Sequence, residues 1–198
     1  MTSGFKENLR KIWKFIWEDD SPWSWLLNIL IAFVLVKFII YPGLGLLLGT
    51  THPVVAVVSG SMKHDGSFDQ WWEGQKDWYE KQNINKQEAS KWIFSNGFNK
   101  GDIMMLKGEK PDKLNVGDVI VFRANSKDPI IHRIVKKIQN GNNYIFQTKG
   151  DHNKDSIPQL GETNISENMV IGKAIFRIPF LGWIKIIVVD FFNVLGGK

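Results

Sequence analysis

The chain begins with apolar residues at helical spacing. Between residues 9 and 17 apolar side chains recur every three or four positions, while most of the basic side chains fall on the opposite side. This pattern is typical of a basic amphipathic helix, which could lie on an anionic membrane leaflet or pack on a soluble partner. We predict that residues 1–21 form this cytoplasmic amphipathic segment.

A long apolar run follows this segment. Residues 23–41 contain one charged side chain, Lys37, and a helix of this length spans roughly 30 Å, the thickness of a bilayer core. We therefore predict a transmembrane helix within residues 22–48 and expect Pro42 and Gly43 to end it. No short apolar core with a small-residue cleavage site precedes the run, so we interpret it as a retained anchor. We predict that this anchor lies in the cell membrane. The basic residues before it predict that the N-terminus is cytoplasmic and that the chain after the anchor lies on the extracytoplasmic side.

Short apolar runs separated by turn residues make up most of the remaining chain. The runs predicted as strands are residues 54–58, 103–106, 119–122, 130–138 and 144–148. Short strands at this spacing indicate an antiparallel or coiled β domain, which we place at residues 49–178. The predicted fold class is therefore mainly β, a coiled antiparallel β domain with an N-terminal transmembrane helix and an α-helical insertion.

Two segments depart from the strand pattern. Residues 63–100 are polar and aromatic, and Asn85 followed by Glu88 resembles a capping box that opens a short helix. This insertion could be a small aromatic core at the surface, or a flap that touches lipid or covers a site. Residues 175–195 are apolar but carry charges, so we predict an interfacial helix at residues 179–198, with a second span as the alternative.

Composition narrows the function classes. The chain has 198 residues, of which 43% are hydrophobic, enough for one well-packed domain with accessory segments. It has no cysteine, so neither disulfides nor thiolate metal sites contribute. Its net charge is only +5, with basic residues scattered among acidic ones, so no nucleic-acid partner is expected. Its nine tryptophans, several near the N-terminus, suit a membrane interface.

Residues suited to acyl transfer lie at strand ends and in turns. Ser61 follows an apolar strand, His132 lies within another, and Asp151 and Asp155 share an acidic loop. Acyl transfer needs a nucleophile, a base and a carboxylate that orients the base, and all three types are present. Considered one at a time, Ser61 could belong to an ordinary turn and His132 to the hydrogen-bonded core.

Four segments, in this order after one N-terminal span, resemble the successive boxes of type I signal peptidases. They are residues 59–62 (Ser-Gly-Ser-Met), 117–122 (Gly-Asp-Val-Ile-Val-Phe), 131–135 (Ile-His-Arg-Ile-Val) and 148–153 (Thr-Lys-Gly-Asp-His-Asn). The resemblance implies a membrane-bound serine endopeptidase without a cofactor that removes N-terminal signal peptides from exported proteins at the outer surface of the membrane. Bacterial members usually have lysine where this chain has His132, so the chain resembles the archaeal and endoplasmic-reticulum branch.

The resemblance also implies a role for each matching residue. Ser61 is the nucleophile and His132 the general base, with Asp155 favoured over Asp151 as the carboxylate partner. The Ser61 N–H and the Ser59 hydroxyl are the expected oxyanion donors. Substrate is expected to bind as an added β-strand, with small side chains in shallow apolar pockets. The residues predicted to form these pockets are Val57, Val58, Met62 and Ile131.

Two departures from the family pattern keep alternatives open. A long insertion begins at Lys63, where the family usually continues through a proline, and the acidic loop is short between its two aspartates. The alternative functions are a non-catalytic membrane-tethered β-module and, less favoured, a metal site that includes His64 and His152. A Ser-Lys dyad using Lys149 is the alternative catalytic pair. The expected partners are signal peptides of secretory preproteins and membrane lipid, with the secretion translocon as a further candidate.

Overall fold

The computed structural model describes residues 2–184, 186 and 187. The chain divides into two compact units, Met1–Leu47 and Leu48–Lys198. The first contains the N-terminal helices, and the second contains the β-sheet and its insertion. This division separates the apolar N-terminal segment from the part of the chain that carries the candidate chemistry.

The N-terminal segment is helical. Helix α1 (Thr2–Trp17) is followed by α2 (Pro22–Leu35), which begins where the Ser21 side chain accepts a hydrogen bond from the Ser24 N–H. A π-helical turn (Val36–Ile40) leads into α3 (Tyr41–Leu48). Within the described residues, the continuous helix Pro22–Leu48 is the one long and apolar enough to cross a membrane, which confirms the predicted N-terminal apolar helix.

The expectation that Pro42 and Gly43 end this helix is wrong. Both residues lie inside α3. Proline lacks an N–H, and its ring crowds the carbonyl one turn earlier. The turn directly before it is widened, since the Tyr41 N–H bonds to the Val36 carbonyl five residues back. A π-turn of this kind lets the helix continue past the proline.

The second unit is built on a curled antiparallel sheet of seven strands in the order β1-β2-β7-β3-β4-β5-β6. The strands are β1 (Val54–Ala56), β2 (Ile103–Lys107), β3 (Val119–Phe122), β4 (Ile130–Asn140), β5 (Asn143–Lys149), β6 (Ile165–Ser166) and β7 (Val170–Ile178). Shifts in register interrupt the β2–β7, β3–β7 and β4–β5 ladders, and such bulges bend a sheet. The sheet confirms the predicted mainly β, coiled antiparallel class.

Strand β7 corrects the prediction for the C-terminal apolar run. Residues 175–178, which the sequence placed in that run, complete β7, a strand that lies between β2 and β3. These residues pair with β2, and their side chains are partly buried except for Phe176, which is 56% exposed. Residues 183, 184, 186 and 187 are helical, but residues 185 and 188–198 lie outside the described residues. The predicted interfacial helix or second span therefore stays a prediction.

The insertion between β1 and β2 contains two helices. Helix α4 (Phe68–Lys81) begins at a capping box formed by Ser67 and Gln70, and α5 (Lys86–Ala89) begins at Asn85, which accepts from the Glu88 N–H as predicted. Side chains of α4 pack with neighbouring aromatic residues and with Val135 of β4 in a buried cluster. The insertion is thus an aromatic core that packs against Val135 of the strand that carries His132.

Candidate active site

Ser61 lies in the turn that follows β1. Val57, the residue after β1, is still hydrogen-bonded to the residues that precede β2. Its N–H donates to the Asp102 carbonyl, and its carbonyl accepts from the Gly101 N–H. The Ser61 Oγ lies 2.8 Å from the His132 Nε2 and 3.1 Å from the Ser59 Oγ. The predicted nucleophile and base are therefore within hydrogen-bond distance of each other.

His132 is held by hydrogen bonds at both ring nitrogens. It lies on β4 opposite Ile120 of β3 and is 4% exposed. Its Nδ1 pairs with the Glu162 Oε1, and its Nε2 meets the Ser61 hydroxyl. A carboxylate can only accept a hydrogen bond, so Nδ1 carries the proton and Nε2 is free to accept from Ser61. This is the tautomer that a general base requires.

Glu162, which the sequence reasoning missed, occupies the position expected for an aspartate. Its side chain is fully buried. The Oε2 accepts a 2.6 Å hydrogen bond from the Ile157 N–H, and the Oε1 also accepts from the Thr148 hydroxyl at 3.4 Å. It follows Gly161, a left-handed residue that ends a 3₁₀ turn. The only sequence signal was an acidic residue beside a turn glycine, which is common on protein surfaces.

The two predicted aspartates lie elsewhere. Asp155 is exposed, and its Oδ1 accepts hydrogen bonds from the Trp78 Nε1 and the Ser156 N–H. Asp151 is fully buried and binds Arg133 and His64. The structure therefore corrects the prediction of either aspartate as the partner of His132. The short turn between them carries Asp155 toward α4 instead of back toward the imidazole.

Asp151 is a buried carboxylate with strong partners. It accepts from the Arg133 Nε at 2.9 Å, the Arg133 Nη2 at 2.6 Å and the His64 Nε2 at 2.9 Å. Burial acts to raise the pKa of Asp151, but the charge and hydrogen bonds of Arg133, together with His64, outweigh it and lower that pKa to about 2. Asp151 is therefore ionised throughout the neutral range.

Lys149 is turned away from the nucleophile. Its Nζ donates to the Gln75 Oε1 at 3.0 Å and to the Gly150 carbonyl at 3.2 Å, and it lies over the rings of Trp78 and Tyr79. Burial lowers the pKa of Lys149 to about 8. Because these contacts hold the ammonium against α4, the geometry favours His132 over Lys149 as the base.

The loop that begins at Gly150 packs against both the nucleophile and the base. The His152 N–H donates to the Ser61 carbonyl at 2.8 Å. A Cβ added at Gly150 would lie 2.8 Å from the Ser61 carbonyl oxygen and 2.9 Å from the His132 Nε2. Only glycine fits this position without displacing one of them.

The four predicted pocket residues divide into two pairs. Val57 and Met62 are 2% and 1% exposed and belong to the hydrophobic core, so the prediction that they line a pocket is not met. Both side chains pack in this core with apolar side chains of β2 and β3. Val58 is 60% exposed, and Ile131 is partly buried against the same core. These two side chains remain candidates for substrate contact.

The chain is similar to signal peptidase complex catalytic subunits. It is 27% identical to SEC11C of Homo sapiens and of Canis lupus familiaris over 157 residues, 77% of this chain and 65% of theirs. It is 26% identical to SEC11 of Fusarium vanettenii over 155 residues, 76% of this chain and 72% of that protein. The chain thus spans about two thirds of the length of these relatives. No protein-family model matches it. The relatives confirm the resemblance that the four sequence boxes indicated.

Proposed function

We propose that this chain, a homologue of the signal peptidase complex catalytic subunits, is a membrane-anchored serine endopeptidase that removes signal peptides from secretory preproteins. The observation that carries the proposal is the hydrogen-bonded series of Ser61 Oγ, His132 and Glu162. A serine, a neutral imidazole and a buried carboxylate in this order are the groups that acyl transfer to a serine requires.

In the proposed reaction, Ser61 attacks the carbonyl carbon of the scissile peptide bond. The hydroxyl proton passes to the His132 Nε2 as the new C–O bond forms. The Ser61 N–H and the Ser59 hydroxyl stabilise the oxyanion, as such donors do in other acyl transfers. His132 then gives its proton to the departing amine. A water molecule, deprotonated by the same nitrogen, releases the signal peptide from Ser61.

Glu162 holds the imidazole in the reactive tautomer and stabilises its charged form. Its carboxylate accepts a hydrogen bond from the Nδ1–H throughout, so His132 receives its second proton at Nε2. The remaining oxygen stays bound to the Ile157 N–H. We therefore propose a catalytic group of serine, histidine and glutamate, in place of the serine, histidine and aspartate predicted from the sequence.

The substrate is proposed to bind as an extended strand beside β1. This strand ends the order of the sheet, and edge strands offer unpaired backbone groups to an extended peptide. Val58 and Ile131 are the proposed contacts for the small residue before the cut. The helix Pro22–Leu48 is proposed to anchor the enzyme with its N-terminus in the cytoplasm and its β domain outside, where preproteins arrive through the translocon.

The proposal is tested by incubating the full chain, in detergent or proteoliposomes, with a preprotein that carries a signal peptide. We expect one cut after a small residue, unchanged in the presence of a metal chelator. Replacing alanine before the cut with phenylalanine should abolish processing, since the site offers only shallow contacts. Loss of cleavage with chelator would favour a metal enzyme. If the folded wild type cleaves no preprotein, the remaining alternative is the non-catalytic membrane-tethered β-module.

A further inference from the structure

His64 is a buried residue for which the proposed reaction has no use. It follows Ser61 by three positions, at the start of the insertion, and its side chain is 1% exposed. Its ring stacks on Trp71 with the centroids 4.1 Å apart and the planes 5° from parallel. Its Nε2 lies 2.9 Å from the Asp151 Oδ2. The ring therefore joins the insertion to the loop that begins at Gly150, which contacts both Ser61 and His132.

Among the described residues, only one of the two ring nitrogens of His64 makes a hydrogen bond, the one that binds Asp151. Asp151 can only accept, so the His64 Nε2 carries the proton. The Nδ1 is buried and has no hydrogen-bond partner within the part of the chain that the structure describes. A phenyl ring would fill the same space without this unpaired nitrogen. The one contribution of the imidazole that a phenyl ring lacks is therefore the N–H donated to Asp151.

Asp151 is fixed from several directions. Arg133 binds its carboxylate from β4, while His64 binds it from the insertion. The Trp71 Nε1 donates to the Asp151 carbonyl at 2.9 Å, and the Asp151 N–H faces the Met62 Sδ at 3.4 Å. Two of these groups, His64 and Trp71, belong to the insertion and are stacked on each other. We call this set of contacts the clamp on Asp151. The insertion thus supplies one side of the clamp.

Fixing Asp151 also fixes its two neighbours, which touch the reacting groups. His152 donates its N–H to the Ser61 carbonyl, and Gly150 packs against both the Ser61 carbonyl and the His132 Nε2. We infer that His64 is a positioning residue that, by holding Asp151, keeps Gly150 and His152 where they set the Ser61 Oγ to His132 Nε2 distance. This inference rests on the proposed function and assigns the insertion a part in it.

Three variants of the full chain test the inference. His64→Phe keeps the stacked ring and removes the N–H, whereas His64→Gln keeps an N–H donor that can reach Asp151. The matched control is Ser67→Ala, which removes the cap of α4 and touches neither Asp151 nor the site. This control lowers the stability of the insertion without changing the contact between His64 and Asp151, so it shows whether lower stability alone reduces kcat. Cleavage of a preprotein gives kcat and KM, and thermal unfolding gives the melting temperature.

We expect His64→Phe to lower kcat by at least about tenfold, the effect of a 1.4 kcal/mol change in barrier, with KM within about twofold of wild type. His64→Gln should restore kcat to within about threefold of wild type. Ser67→Ala should lower the melting temperature by about 2–4 °C and leave kcat unchanged. A wild-type kcat in His64→Phe, or an equal loss of kcat in Ser67→Ala, would overturn the inference.

Hydrogen exchange keeps this test independent of the proposed function. The His152 N–H is bonded to the Ser61 carbonyl, so exchange in residues 150–156 reports the clamp directly. We expect faster exchange there in His64→Phe than in His64→Gln, even if the wild type cleaves no preprotein and the proposed function fails. Equal exchange in the two variants would contradict the positioning role, whatever the activity of the wild type.

Discussion

Replacing Glu162 by glutamine removes one charge from the candidate site and keeps the shape of the side chain. The glutamine carbonyl can still accept from the Ile157 N–H, the 2.6 Å bond that Glu162 makes with its Oε2. The amide NH2 then faces the His132 Nδ1. An amide donates where a carboxylate accepts, so the imidazole must place its proton on Nε2 to accept at Nδ1. In that tautomer His132 cannot receive the Ser61 proton.

The size of the effect follows from two losses. A hydrogen bond to a charged group contributes about 1.5–3 kcal/mol, and its loss from the imidazolium corresponds to about 10- to 150-fold in rate. The unreactive tautomer adds to this, and in serine proteases a comparable carboxylate-to-amide change lowers kcat by about 10⁴. We therefore expect Glu162→Gln to lower kcat by about 10²- to 10⁴-fold. Because the Ile157 bond survives, the melting temperature should change little.

Preprotein cleavage by the purified full chain measures this effect, with circular dichroism to confirm the fold. Asp155→Asn is the matched control, since the exposed Asp155 carboxylate binds the Trp78 Nε1 and not the imidazole. Its kcat should stay within about threefold of wild type. A Glu162→Gln variant with wild-type kcat would refute the assigned role of Glu162. A dead but folded Asp155→Asn variant would return that role to the aspartate predicted from the sequence.

Two further predictions concern the loop and the buried lysine. Gly150→Ala should lower kcat by at least about 100-fold, because the new methyl would lie within 3 Å of both Ser61 and His132. Gly74→Ala, an open helical position, is its control and should leave kcat unchanged. Burial lowers the pKa of Lys149 to about 8 from an ordinary 10.5, so between pH 8 and 10.5 the unfolded chain binds more protons than the folded one. The free energy of unfolding should therefore rise over this range by up to about 3 kcal/mol. Lys149→Met should abolish the rise measured by urea unfolding, and an unchanged rise in that variant would contradict the burial of the charge.

Strands β1 to β5 and the two central residues of the site were predictable because local signals mark them, whereas β6 and β7 were not predicted. Val119–Phe122 is a continuous apolar run bounded by turn residues, and all four of its side chains are buried. Ser61 and His132 lie in two separate boxes whose order carries the resemblance to type I signal peptidases. Their 2.8 Å contact, by contrast, depends on the curl of the whole sheet. The sequence implied it only through the resemblance.

The missed features depend on contacts that are distant in the chain. Glu162 is 30 residues from His132, and nothing around it distinguishes a buried carboxylate from one on the surface. Residues 175–178 continue directly into the apolar residues that follow them, so the sequence does not mark where β7 ends. Helix α4 did have a local signal, the capping box of Ser67 and Gln70, which the aromatic composition of the segment obscured.

The most direct test of the central claim is the effect of Ser61→Ala on preprotein cleavage in proteoliposomes, followed by mass spectrometry of the mature product. This substitution removes only the hydroxyl group that contacts His132. If Ser61 is the nucleophile, cleavage falls by at least about 10³-fold while the melting temperature stays within about 2 °C of wild type. Release of the same mature N-terminus at the wild-type rate by Ser61→Ala would contradict the nucleophilic role of Ser61.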